Sequence, residues 1–162
     1  MHSCASKRSI FSRRVTPGFT LIELLLTIVI ASVLAMIAIP SYQKYIVRAK
    51  TSQAIADISR IKLGIDRYRL NQNDGLPASL ADIGYGTLTD PWGHNYVYLN
   101  FSTVHGNGQK RKDRNLVPIN TEFDLYSKGP DGNSASPLTA AMSRDDIIMA
   151  NDGGYVGKAS DY

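Results

Sequence analysis

GFTLIELLLTIVIASVLAMIAI, residues 18–39, decides how the rest of the chain must be read. From Phe19 to Ile39 it holds 21 residues and a single charge, Glu23. About 20 apolar residues at ~1.5 Å rise cover the ~30 Å hydrocarbon core of a bilayer, so this run can cross a membrane as one helix. A lone carboxylate inside such a helix costs a few kcal/mol, ~2.5–3.5 on insertion scales. Glu23 therefore calls for a partner and marks a functional position.

The 18 residues before this run carry Lys7, Arg8, Arg13 and Arg14 and no acid. An ordinary secretory signal would place a shorter apolar region of about 7–15 residues before an Ala-x-Ala-like site. Here the apolar run is longer, contains Glu23 and has no clean Ala-x-Ala at its end. A lipidated cysteine would follow an apolar segment, whereas Cys4 precedes this one. Charge asymmetry does not orient the span, because Lys44, Arg48 and Lys50 lie just beyond its other end.

The basic leader ending in Gly18, followed by Phe19, Thr20, aliphatic residues and Glu23, resembles the N-terminus of type IV prepilins and type II secretion pseudopilins. The resemblance implies a leader (1–18) cut by a prepilin peptidase between Gly18 and Phe19. It also implies N-methylation of Phe19, and pairing of Glu23 with the Phe19 amine of a neighbouring copy during assembly. Residues 19–39 become the transmembrane helix.

Once the leader is set aside, the basic balance disappears. The whole chain has 18 Lys and Arg against 14 Asp and Glu, and all four excess cations lie in residues 1–18. The mature part is neutral, and its composition gives no reason to expect nucleic acid as a partner. Cys4 is the only cysteine, so a processed chain has none from which to make an internal disulfide. Within the resembled family, many type IV pilins close their C-terminal region with a disulfide, whereas the major pseudopilin uses calcium there. The cysteine count favours the pseudopilin.

Pro40 should bend or locally unwind the helix, since it lacks an N–H and crowds the preceding turn. Beyond it, Ile55, Ile58, Ile61, Ile65 and Tyr68 recur at three- and four-residue steps with charged residues between them. That is an amphipathic helix over 40–72 whose apolar stripe needs a cover. Helical throughout, Phe19 to Leu70 would run about 78 Å at ~1.5 Å per residue. Asn71 to Gly75 end it with turn formers.

Residues 73–162 read as a β-rich outer domain. A helical turn is expected around Ala78–Ile83 and a turn at Thr89–Gly93. Strands are expected at Tyr96–Phe101 and Glu122–Ser127, in a two- to four-stranded antiparallel sheet covering the helix stripe. The predicted class is α+β. The turn DPWG (90–93), the strand NYVYL (95–99) and the segment DLYSKGPDG (124–132) resemble the corresponding stretches of the major pseudopilin. Val104–Pro118, with Lys110, Arg111, Lys112 and Arg114, reads as a solvated hairpin loop.

Gly129–Asp152 is rich in Asp, Asn, Ser and Gly, hard oxygen donors of the kind that suit calcium. It is not an EF-hand, because Ser136 and Met142 stand where that loop needs glycine and glutamate. The resemblance implies a calcium site at Asp131, Asp145 and Asp146. The same acids also fit a capping role: Ser143 with Asp146 approximates a capping box opening a short helix at Ile147–Met149. Both readings stay open. Catalysis has little support, since His2, His94 and His105 have no metal-ligand spacing and no nucleotide fingerprint appears. Trp92, in its proline turn, reads as a packing anchor.

The expectation is a single-pass inner-membrane subunit with its C-terminal domain in the periplasm. It would polymerise with copies of itself, alongside minor pseudopilins and an assembly platform driven by a separate ATPase. Two alternatives are a type IV pilin for adhesion, motility or DNA uptake, and a membrane-tethered binding module that never polymerises.

Overall fold

The computed structural model describes residues 18–162. One helix, α1, runs Leu21–Asn71. The boundary between two compact units falls within it, between Tyr42 and Gln43. The helix continues through Pro40 without interruption, so the expected local unwinding is not seen. A proline removes one N–H from the ladder, and its neighbours' bonds carry the helix past that gap. Nearby, the Ser41 hydroxyl donates to the carbonyl of Ile37 (3.0 Å).

In the first unit, every large apolar side chain from Phe19 to Ile39 is exposed. An apolar surface of this kind is stable only when lipid or other apolar helices cover it. In the second unit the stripe is buried as its spacing requires. Ala54, Ile58, Ile61 and Ile65 are fully buried, Ile55 packs at the edge and Tyr68 is half-buried. The helix then stops where turn formers begin. Asn73 and Asp74 adopt left-handed backbone (φ 49° and 65°), and the N–H groups of Gln72 and Asp74 both donate to the carbonyl of Arg69 (3.1 and 3.0 Å).

Four strands form one antiparallel sheet in sequence order: β1 (Val97–Asn100), β2 (Phe123–Ser127), β3 (Ile147–Ala150) and β4 (Tyr155–Lys158). The α+β class, the first two strands and the turn at Leu80–Ile83 match expectation. The helix expected at Ile147–Met149 does not form. Those residues are the strand β3, and all four of its residues are buried. Ile147 and Met149 face the α1 stripe together with Phe123 and Leu125, whereas Ile148 and Ala150 face a second cluster with Ile119, Leu138 and Ala159. Period-two alternation with both faces covered suits β-branched residues in a central strand, and burial there outweighs a local capping pattern.

Candidate functional site

The start of α1 is held by its own side chains. The backbone N–H and hydroxyl of Thr20 both donate to Glu23 Oε2 (3.3 and 3.2 Å), and the Glu23 N–H donates to Thr20 Oγ1 (3.3 Å). This reciprocal pair is a capping box, and it places the carboxylate at the positive end of the helix dipole. The signal was present as Thr20-x-x-Glu23 but was overshadowed by the membrane reading of the same residues. Gly18, Phe19 and Glu23 are all exposed, so the helix start and its single acid are accessible to another molecule.

The calcium residues of the sequence reading are placed differently from one another. Asp131 is exposed, and its Oδ1 accepts the N–H of Asn133 (2.8 Å) in a local turn. Asp145 is half-buried, and its carbonyl lies so close to Gly129 that a Cβ on that glycine would collide with it. Asp146 is fully buried. Its Oδ2 accepts from Arg111 Nη2 (2.5 Å) and from the Ser134 hydroxyl (2.6 Å). Burial pushes its carboxyl up, to about 6, against the pulls of Ser134 and Arg111, while Asp145 adds a smaller push upward. Above that value the carboxylate is charged and faces a guanidinium. Among the described residues, no three His, Cys, Asp or Glu side chains group where an ion could be held. At Asp146 a further cation would face the Arg111 guanidinium.

Arg111, expected in a solvated loop with Lys110, Lys112 and Arg114, is instead 2% exposed. Its Nη1 donates to Ser134 Oγ (2.6 Å) and to the carbonyl of Ala135 (2.5 Å), and its guanidinium lies 4.3 Å from the centre of the Tyr126 ring. Its backbone is fixed as well. The N–H donates to Asp124 Oδ2 (2.6 Å), and the carbonyl accepts from Ile119 (3.0 Å). Asp124, itself buried, has its carboxyl pushed up by desolvation against the hydrogen bonds from the Arg111 N–H and the Asn120 side chain. Ser143 does not cap a helix. Its hydroxyl exchanges two bonds of 2.8 Å with the backbone of Ala135.

The DPWG segment is pinned by Asp90. Its Oδ1 accepts the N–H groups of Trp92 (3.0 Å) and His94 (2.9 Å), and its Oδ2 accepts the Ser127 hydroxyl on β2 (2.5 Å). At the other end of the domain, Arg69 makes a two-pronged pair with Glu122 (2.6 and 3.1 Å), tying the last turn of α1 to the start of β2.

Residues 13–39 match the prokaryotic N-terminal methylation motif. A fimbrial protein of Neisseria meningitidis serogroup B is 38% identical over 140 residues, covering 83% of this chain and 79% of the relative. The chain belongs to the type IV pilin-like family. Other members similar to it include the type IV major pilin protein PilE of Neisseria gonorrhoeae, 31% identical over 150 residues (87% of this chain, 86% of the relative). Type II secretion system core protein G of Escherichia coli is 30% identical over 135 residues (71% and 82%). No solved structure matches significantly. In this pilin-like chain the apolar helix and the methylation motif fit a single-pass membrane anchor.

Proposed function

We propose that this pilin-like chain is a structural subunit of a filament of the type II secretion pseudopilus kind, with no catalytic role. One observation carries the reading. The first part of α1, uncovered, apolar and of membrane length, bears one acid, Glu23, at its accessible start, and the isoleucine stripe of residues 54–65 packs under a folded sheet. In the membrane the helix is anchored by lipid. In a filament the same surface is covered by the helices of other copies, and Glu23 is neutralised by the Phe19 amine that cleavage after Gly18 would create. A prepilin peptidase supplies that cleavage, and a separate ATPase and assembly platform supply the work. The outer domain lies on the periplasmic side and passes outward with the growing filament.

The absence of any cysteine beyond Cys4 supports the pseudopilin over a disulfide-closed pilin. The fimbrial relative, with its higher identity and wider coverage of the chain, supports a second reading as a type IV pilin. The test has two parts. Mass spectrometry of the membrane-extracted protein should find an N-terminal methylated Phe19. Labelling of intact cells against permeabilised ones then separates the readings: a pseudopilin is reached only after permeabilisation, whereas a surface pilin is labelled on intact cells. An unprocessed N-terminus refutes both.

A further inference from the structure

The family resemblance places a divalent cation in the C-terminal loop, and the donors found there are of the kinds such an ion takes. They are the Ser134 hydroxyl, the Ala135 carbonyl and the Asp146 carboxylate. All three already point at one positive charge. We propose that Arg111 is the built-in cation of this loop, its guanidinium standing among the Ser134, Ala135 and Asp146 oxygens in place of a calcium ion, so that the outer domain closes without metal.

The rest of the geometry fits that role. Arg111 precedes Asp146 by 35 residues, so its guanidinium ties two separate segments of the chain together. It is held there by backbone bonds through Asp124 and Ile119. The neighbouring residue extends the seam. The Lys112 N–H donates to the Ser136 carbonyl (3.1 Å), and the Leu138 N–H donates to the Lys112 carbonyl (2.9 Å). The guanidinium lies on the Tyr126 ring, a face that attracts organic cations. Two polar atoms of the pair, Arg111 Nε and Asp146 Oδ1, have no partner among the described residues although buried. Asp146 thus keeps unused acceptor capacity, but any ion reaching for it would sit against the guanidinium.

The test uses the full chain in detergent micelles and follows thermal unfolding through Trp92, the one tryptophan. One sample contains EGTA. The other contains calcium chloride at about 5 mM, above the ~0.1–1 mM dissociation range of weak extracellular calcium sites. The two melting curves should superimpose. A loop closed by calcium would melt about 2–8 °C higher with the ion, and such a shift, reversed by EGTA, overturns the proposal.

Arg111→Met should lower Tm in EGTA and open residues 129–146 to protease. That variant strands Asp146 in the interior and can fail to fold, so Arg111→Met/Asp146→Leu is measured beside it. Removing the stranded charge should recover most of the lost Tm. A double variant no better than the single one, or an Arg111→Met chain with wild-type Tm and protease resistance, counts against the clamp. None of these readouts depends on filaments, so failure here is distinguishable from failure of the assembly reading.

Discussion

Replacing Asp90 should cost more than its position in a surface turn suggests. Asp90→Ala removes the acceptor for three donors, the N–H groups of Trp92 and His94 and the hydroxyl of Ser127. The first two belong to half-buried residues, so water can reach them and each is counted near the ordinary ~0.5–1.5 kcal/mol of a hydrogen bond. Ser127 is completely buried and its bond is to a charged group, so it is counted at ~1.5–3 kcal/mol. The loss should total about 3–6 kcal/mol, a large part of a small domain's stability. Asp90→Asn has the same shape and keeps an oxygen for the two backbone donors, but it turns an N–H₂ toward Ser127. It should cost about 1–3 kcal/mol, half as much or less. Urea unfolding followed by Trp92 fluorescence and by circular dichroism measures both, with an unchanged slope confirming that stability alone has moved. Asp90→Ala within about 1 kcal/mol of the natural chain, or Asp90→Asn as damaging as Asp90→Ala, would show that the Asp90 carboxylate does not hold this turn.

Two further substitutions probe the loop and the helix end. Gly129 has φ 64°, and a Cβ there meets the Asp145 carbonyl, so Gly129→Ala should cost about 2–4 kcal/mol in the same urea assay, and a neutral result would contradict the close approach. Arg69→Ala removes a two-pronged but partly exposed pair, with side chains 27% and 44% exposed, so its global cost should stay near 1 kcal/mol or below. Its clearer signature is faster amide exchange in the last turn of α1, with exchange in β3 unchanged.

The helix and its stripe were legible because their signals are redundant: an apolar run of membrane length, then isoleucines at helical spacing, then a cluster of turn formers. β1 and β2 were legible from alternation and flanking turns. β3 was not, because Ile147–Ala150 is apolar on every residue and so has no period, while Ser143 and Asp146 imitate a capping box. Only the pairing of β3 with β2 and β4 distinguishes strand from helix there, and that pairing is long-range. β4, Tyr155–Lys158, is short, and Gly157 in it weakens any strand pattern. The site divides in the same way. Gly18, Phe19 and Glu23 lie within the local pattern at residues 13–39 that matches the methylation motif. Arg111 could not be read in this way, because four cations around one acid look like a solvated loop, and nothing local shows that one of them turns inward to Asp146, 35 residues away.

The proposed role of Glu23 is assembly between copies. The most direct measurement is sedimentation of sheared filaments from membranes carrying the natural chain, Glu23→Gln or Glu23→Leu, with electron microscopy of the pellets. Glu23→Gln keeps a hydrogen-bonding group for the Thr20 cap but not the charge. The natural chain should form filaments, with both variants left as stable, unassembled protein in the membrane. Filaments formed equally well by Glu23→Leu, or none formed by the natural processed chain, would contradict that role.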